Sequence, residues 1–180
     1  VLQSKIEASA WDGAWYLRAW FDDGAALGSA KNEECRIDSI AQSWAILSGA
    51  GSDERTRQAM TSLDTMLVDR KIKLIRVLQP AFDTSILNPG YIKGYVPGVR
   101  ENGGQYSHAA IWALMAFAML NDREKVYELF SLIQPIGHSS GTLGRDVYKV
   151  EPYVMAADVY ANESHSGRGG GFRGFFGGRR

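Results

Sequence analysis

Two adjoining segments decide how this chain folds: Val99-Arg100-Glu101-Asn102-Gly103-Gly104-Gln105-Tyr106-Ser107-His108 and, directly after it, Ala109-Ala110-Ile111-Trp112-Ala113-Leu114-Met115-Ala116-Phe117-Ala118-Met119-Leu120. The first is polar and contains an arginine, a carboxylate, an amide and a histidine beside a glycine pair. The second is the most apolar segment of the chain. Binding residues are often carried on loops that a rigid element holds in place. We therefore expect a functional loop mounted on a buried helix over 105–120.

The rest of the chain is dominated by helical periodicity. Asp38-Ser39 is typical of a helix start, and Gly49 of a helix end. Asn121-Asp122 predicts the cap of a helix that buries Val126, Tyr127, Leu129, Phe130 and Ile133 and stops at Pro135. Pro152 suits the first turn of a last helix. The full set of predicted helices covers 39–48, 53–67, 105–120, 122–134 and 152–161.

Short strands and long loops are predicted between these helices. The aromatic stretch 11–24 ends in the turn signal Asp22-Asp23-Gly24, which favours a strand that continues in 27–29, although a helix through the same residues is an alternative. A second strand is expected over 71–78, up to Pro80. Residues 80–104 and the glycine-containing segment 137–144 are predicted as polar loops. The pattern indicates an all-α toroid or bundle, and five helices are too few to close a toroid.

The charge distribution divides the chain into two parts. Residues 1–166 hold 16 basic and 20 acidic residues, a net charge of −4, so a nucleic-acid surface on this part is not expected. Residues 167–180 hold four arginines, no acid and 50% glycine. We interpret 1–166 as a partial catalytic domain. The 167–180 tail is interpreted as disordered or frame-shifted, with an RNA-binding tail as the alternative.

The cysteine content and the first residue of the chain indicate its cellular compartment and whether it is a fragment. The single Cys35 excludes an internal disulfide and is typical of a reducing, cytoplasmic environment. No stretch is long enough to span a membrane, and no signal peptide is present. The chain starts at Val1 without a methionine, and we interpret it as a piece of a longer protein.

The loop over 99–108 contains the parts of an anion site. The start of the following helix presents unpaired N–H groups and a positive dipole end, with His108 in its first turn and Arg100 just before it. A phosphate or carboxylate bound by His108 and Arg100 is one interpretation. A capped helix whose His108 is hydrogen-bonded in the core is the other, and spacing alone favours it.

Other candidate groups are less specific. Glu151-Pro152-Tyr153 offers a carboxylate beside an aromatic ring, which suits either a sugar subsite or a helix cap. Carboxylates elsewhere lie in or beside loops, and no pair for glycoside chemistry stands out. One cysteine and no paired histidines make a zinc site improbable, and no phosphate-loop or dinucleotide motif is present.

An ordered set of motifs resembles glycoside hydrolase family 94. The central motif is Arg100-Glu101-Asn102-Gly103-Gly104 with His108 and Trp112, which resembles the Glu-Asn-Gly-Gly…His signature of the family's phosphorylases. The others, in order, are Trp15-Tyr16-Leu17-Arg18, Asp22-Asp23-Gly24, Leu27-Gly28-Ser29, Ala41-Gln42-Ser43-Trp44, Leu47-Ser48-Gly49, Pro97-Gly98-Val99 and Tyr148-Lys149-Val150-Glu151-Pro152-Tyr153-Val154. Within the family, the resemblance is strongest to the C-terminal domain of bacterial cyclic β-1,2-glucan synthases.

The resemblance implies the C-terminal part of an (α/α)6 toroid with a few short strands, all-α in class, and an inverting phosphorylase. Phosphate would attack the anomeric carbon of a β-glucan while a carboxylic acid protonates the leaving oxygen, giving α-glucose 1-phosphate. No cofactor is expected, because inorganic phosphate acts as the co-substrate. It implies His108 as the phosphate ligand, with Arg100 at a position where cellobiose phosphorylases have lysine. Glu101 and Asn102 would shape the sugar and phosphate pocket, and Glu151 and Tyr153 would line sugar subsites.

Two departures from the family pattern limit what this chain can do. The general acid, an Asp in an Asp-Trp-Asn-Asp-Gly-like motif, is absent from the sequence, and the Thr-Gly pair expected after Gly170 is replaced by 171–174. We therefore expect no activity from the chain alone, and a partner in the missing N-terminal part of the toroid. Membrane spans are expected only upstream, in a full-length inner-membrane protein. An inverting hydrolase on the same toroid, and a non-catalytic sugar-binding or RNA-binding module, are the alternatives.

Overall fold

The computed structural model describes residues 1–162 and the backbone of 171–172. The interpretations placed on the rest of the 167–180 tail lie outside these residues. The described part of the chain forms seven α-helices: α1 (Leu2–Ser9), α2 (Ser39–Leu47), α3 (Asp53–Leu67), α4 (Ser107–Met119), α5 (Arg123–Ile133), α6 (Pro135–Ser139) and α7 (Gly141–Tyr148). A 3-10 helix covers Gly90–Gly94. No helix in this part is both long and apolar enough to cross a bilayer.

Short antiparallel strands join the helices. Three antiparallel pairs are β1 (Ala19–Trp20) with β2 (Ala26–Leu27), β3 (Ile37–Asp38) with β6 (Leu78–Gln79), and β4 (Val68–Asp69) with β5 (Leu74–Ile75). A three-stranded sheet contains β7 (Gln105–Tyr106), β8 (Asp158–Val159) and β9 (Gly171–Phe172). The mostly helical architecture with short strands confirms the predicted all-α class and agrees with one part of a helical toroid.

Helix α4 is the centre of the main core. It packs against α2 and α5, and α2 also packs against α3. The buried side of α4 is mostly alanine, including Ala110, Ala113 and Ala116, and these small side chains allow neighbouring helices to approach closely. Fully buried Leu63, Leu67 and Leu129 fill the remaining space. The opposite side of α4 is exposed at Met115 and Met119, so the helix is not buried all round.

Helix starts agree with the cap signals in the sequence. The Asp38 carboxylate accepts a hydrogen bond from the Ile40 N–H at 2.8 Å, and Asp122 accepts one from the Lys125 N–H at 3.0 Å. Gly49, with φ +67°, ends the α2 segment in the left-handed region that glycine favours. The turn before β2 is also confirmed, because Phe21 N–H donates to Ala25 O at 2.9 Å.

The predictions for the last third of the chain are partly wrong. Residues 152–161 form no helix, because Ser107 N–H donates to Ala157 O and 158–159 pair with β7. The same pairing moves the start of α4 from 105 to Ser107. Segment 137–144, predicted as a loop, lies in α6 and α7, since Pro135 occupies the first turn of α6.

Two smaller predictions also differ from the structure. The predicted strand over 71–78 is divided into β5 and β6, because Val77 N–H donates to Gly104 O between them. On α5, Leu129 and Ile133 are buried as expected, whereas Tyr127 is 75% and Phe130 52% exposed. The buried face of α5 is therefore narrower than the helical spacing of its apolar residues predicted.

Gln42 is the buried polar residue that links α2 to the segment before β1. Its side chain accepts from Tyr16 N–H at 2.8 Å and donates to Tyr16 O and Asp38 O, each at 2.9 Å. Replacing it with leucine keeps the volume but leaves buried backbone groups unpaired. We expect Gln42→Leu to lower the free energy of unfolding by about 3 kcal/mol, measured by urea denaturation.

The control is Gln58→Leu, at an exposed position whose amide donates to Gly13 O at 3.2 Å. Its expected cost is within about 0.5 kcal/mol. Equal losses in the two variants would contradict a special contribution of Gln42.

Candidate functional site

The loop that carries the Glu-Asn-Gly-Gly motif is a compact turn. Gly98 N–H donates to Asn102 O at 2.7 Å, Asn102 N–H donates to Val99 O at 3.0 Å, and Gly104 N–H donates to Arg100 O at 3.1 Å. Arg100 has φ +51° and Gly103 has φ +85°, both in the left-handed region. The backbone therefore turns sharply twice within a few residues and then enters β7.

Close backbone approach explains two of the glycines. A side-chain carbon at Gly104 would lie 2.8 Å from Arg100 O. One at Gly98, where φ is +82°, would lie 2.6 Å from the backbone nitrogen of Asn162. Both distances are too short for a carbon atom, so only glycine allows this turn to close and to pack on the segment after β8.

Asn102 is fully buried beneath the turn. Its Oδ1 accepts from Phe82 N–H at 2.7 Å, and its Nδ2 donates to Phe82 O at 2.8 Å and to Tyr95 O at 2.7 Å. These bonds tie the loop to the connection over 80–95. Because the amide is committed to backbone groups, Asn102 shapes the site by holding the loop.

Glu101 and Arg100 meet at the hydroxyl of Tyr106. The hydroxyl donates to Glu101 Oε1 at 3.0 Å and accepts from Arg100 Nη2 at 3.1 Å, while Arg100 Nε lies 3.6 Å from Glu101 Oε2. The guanidinium carbon lies 5.3 Å from the centre of the Tyr95 ring. Burial works against the charge of Arg100, yet the Tyr106 bond and nearby negative groups raise its pKa above the ordinary value.

Asp158 is a buried carboxyl group beside this cluster. It stands opposite Tyr106 in the β7–β8 pairing and is 1% exposed. Within residues 1–162, neither of its carboxylate oxygens has a hydrogen-bond partner. Burial raises the pKa of Asp158 to about 6, the charge of Arg100 opposes this rise, and the charge of Glu101 adds to it.

His108 lies on the surface in the first turn of α4. The imidazole contacts the rings of Tyr106 and Trp112 edge-on, with ring centres 4.9 Å apart in both cases. Its exposure rules out the core histidine that spacing alone favoured. No side chain caps the start of α4 among the described residues. First-turn N–H groups beyond that of Ser107 are therefore left for water or a ligand.

A cavity of about 230 Å³ is lined by two of the predicted site residues, Glu101 and His108. Its polar lining includes Arg18, Asp38, Glu101, Tyr106 and His108, and we call it the Glu101–His108 pocket. Apolar side chains including Phe82 and Leu27 form much of the remaining wall. Small-molecule sites combine apolar walls with a few directed polar groups in this way.

The other predicted site residues lie outside this lining. Arg100 stands behind Glu101 and Tyr106, and Asn102 lies beneath the loop. Glu151 and Tyr153 lie in the segment between α7 and β8, where Tyr153 is 82% exposed. The helix-cap interpretation of Glu151 is wrong, because its carbonyl accepts from Val154 N–H in a turn and no helix follows.

Three residues of the site were not named as site candidates from the sequence. Arg18 belongs to the Trp15-Tyr16-Leu17-Arg18 motif but was given no role, Asp38 looks like a helix cap only, and Asp158 falls in a predicted helix. The β1–β2, β3–β6 and β7–β8 pairings place them near the motif loop. Among the described residues, no group of three or more His, Cys, Asp or Glu side chains is arranged to hold a metal ion.

The buried carboxyl group of Asp158 is expected to lower the stability of the fold in a pH-dependent way. Between pH 4 and pH 6 the unfolded chain loses this proton while the folded chain keeps it, so the free energy of unfolding falls as the pH rises. Asp158→Asn removes the effect. We expect the stability of the variant relative to wild type to rise by about 3 kcal/mol between pH 4 and pH 8, measured by urea unfolding. If the stabilities of the variant and of wild type depended on pH in the same way, the prediction of a raised pKa for Asp158 would be contradicted.

Comparisons with known proteins give the family. Residues 1–174 match the model of the glycosyl hydrolase 94 superfamily catalytic domain. The chain is 47% identical over 169 residues to the cyclic beta-(1,2)-glucan synthase NdvB of Rhizobium meliloti (strain 1021), covering 94% of this chain and 6% of that protein.

Two phosphorylases are also similar. Solabiose phosphorylase of Paenibacillus borealis is 30% identical over 154 residues, covering 86% of this chain and 19% of that protein. N,N'-diacetylchitobiose phosphorylase of Vibrio proteolyticus is 28% identical over 161 residues, covering 87% of this chain and 20% of that protein. The chain thus spans a fifth or less of the length of these relatives, and the family resemblance seen in its motifs is confirmed. The chain belongs to the glycosyl hydrolase 94 superfamily.

Proposed function

We propose that the chain forms the phosphate side of an inverting glycoside phosphorylase site acting on β-glucans. Inorganic phosphate attacks the anomeric carbon, the bond to the departing sugar oxygen breaks, and α-glucose 1-phosphate is released. The oxygen takes a proton from a carboxylic acid. Membership of a family that includes phosphorylases and a glucan synthase supports glycosyl transfer of this kind.

The observation that carries the proposal is the position of His108. Its ring is exposed at an uncapped helix start and lines the same pocket as Glu101. The N–H groups and the dipole of α4 favour an anion there, and the imidazole adds a hydrogen-bond donor. Phosphorolysis requires an anion held close to the sugar, and Glu101 in the same pocket can accept a sugar hydroxyl.

The other residues have supporting roles in this proposal. Glu101 accepts hydroxyl groups of the sugar, and Asn102 fixes the loop beneath it. Arg100 contributes positive charge next to the phosphate and holds Glu101 in place through Tyr106. Glu151 and Tyr153 line further sugar subsites, where the exposed Tyr153 ring offers a stacking surface.

The relatives support the proposed substrate class. The name of the 47% identical relative specifies a β-1,2-linked glucan, and we extend that linkage to this chain. We place the reaction in the bacterial cytoplasm, where a free thiol such as that of the buried Cys35 persists. Any attachment to the inner membrane would belong to other segments of a longer polypeptide.

His108→Ala tests the phosphate site. We expect the variant to bind inorganic phosphate about tenfold more weakly than wild type, because a donor and the ring that closes the site are lost; isothermal titration calorimetry gives the affinity. The control Arg123→Ala removes an exposed cation at the start of another helix, α5, and should change the affinity less than twofold. Similar losses in both variants would indicate general charge attraction and contradict a site at His108.

A second test concerns turnover. The carboxylates of the pocket are already engaged: Asp38 caps α2, and Glu101 pairs with Arg100. The general acid is therefore proposed to come from the remainder of a longer protein. We expect the chain alone to release no glucose 1-phosphate from β-1,2-glucooligosaccharides. Clear turnover would refute the proposal that the general acid lies outside this chain. Turnover independent of phosphate would indicate a hydrolase.

A further inference from the structure

Arg18 lines the Glu101–His108 pocket, and its positive charge has no role in the proposed reaction. The hairpin β1–β2 fixes its backbone, because Arg18 N–H donates to Leu27 O at 2.8 Å. Gly28, with φ +84°, packs on the same backbone: a side-chain carbon there would lie 2.9 Å from Arg18 N. The guanidinium is thus presented from a rigid turn toward the pocket.

Asp38 holds the charged end of Arg18 in place. The Asp38 carboxylate is 5% exposed; Oδ1 accepts from Ile40 N–H at 2.8 Å, and Oδ2 lies 3.7 Å from Arg18 Nε. Burial raises the pKa of Asp38, and the charge of Arg18 opposes this rise. A buried carboxylate that faces one cation attracts it strongly and limits its movement.

The guanidinium itself retains capacity to bind. The Arg18 side chain is 41% exposed, and it makes no hydrogen bond to residues 1–162. An arginine carries five N–H donors in a fixed plane, so most of them are available to a ligand. The pocket therefore has a donor group at Arg18 and an acceptor group at Glu101.

We propose that Arg18, held by Asp38, binds hydroxyl groups of the sugar in the Glu101–His108 pocket. Sugar hydroxyls both donate and accept, so they suit a pocket that offers a guanidinium and a carboxylate. Aromatic rings of Tyr91 and Tyr106 on the same wall suit a pyranose face. A phosphate is disfavoured at Arg18 itself, because the Asp38 carboxylate already lies 3.7 Å from its Nε and repels an anion at that end of the pocket.

This inference rests on the proposed function for the identity of the ligand. The experiment distinguishes a failure of the Arg18 assignment from a failure of the proposed function. The probe is the β-1,2-linked disaccharide sophorose, titrated into the chain and followed by tryptophan fluorescence, with inorganic phosphate titrated in parallel. Arg18→Ala alone would leave the buried Asp38 carboxylate without its cation and could unfold the chain. The comparison is therefore made in an Asp38→Asn background, since asparagine also caps helices well.

We expect Arg18→Ala/Asp38→Asn to bind sophorose at least tenfold more weakly than Asp38→Asn, with phosphate affinity changed less than twofold. Arg18→Lys should give an intermediate loss, because lysine keeps the charge but not the planar donors. The control Arg36→Ala removes a guanidinium that donates to Asn32 O outside the pocket and should bind sophorose like wild type.

Several results would overturn the assignment. Unchanged sophorose affinity in the double variant, loss of phosphate binding instead of sophorose binding, or a folded wild-type chain that binds phosphate but no sophorose each rejects Arg18 as a sugar ligand. Sophorose binding that depends on Arg18, combined with phosphate binding that ignores His108, would support Arg18 and reject the proposed function.

Discussion

The hydrogen bonds of the buried Asn102 amide are the constraint on which the rest of the site depends. One side chain joins the motif loop to Phe82 and Tyr95 in a connection that has little regular structure of its own. Leaving such buried backbone groups unpaired would cost about 1–3 kcal/mol each. Through Asn102 a loop that looks irregular in sequence becomes rigid, and Glu101 acquires a fixed direction in the loop before β7.

A second constraint is the placement of charge around one cavity. Asp38 faces Arg18, Glu101 faces Arg100, and Asp158 lies buried behind them. Buried ion pairs contribute little to stability after desolvation, and an unpaired buried carboxylate is unfavourable. Their concentration at the Glu101–His108 pocket is more easily understood as preparation for a polar ligand than as a contribution to folding.

Sequence reasoning succeeded where the signal was local. The caps at Asp38 and Asp122 fixed the starts of α2 and α5, and the position of His108 in the first turn of α4 followed from spacing. It failed where distant pairing decides the structure: residues 158–159, inside the predicted helix over 152–161, form strand β8 because they pair with Gln105 and Tyr106 of β7. The exposure of His108 and the pairing of Arg18 with Asp38 likewise depend on packing between separate elements. The ordered motifs identified the family without resolving these contacts.

A crystal structure of the chain soaked with inorganic phosphate tests the central claim most directly. We predict phosphate within hydrogen-bonding distance of the His108 imidazole and of the N–H groups at the start of α4, with the Asn102 and Tyr106 hydrogen bonds intact. Phosphate bound elsewhere, with His108 turned away from the Glu101–His108 pocket, would contradict an anion site on this helix.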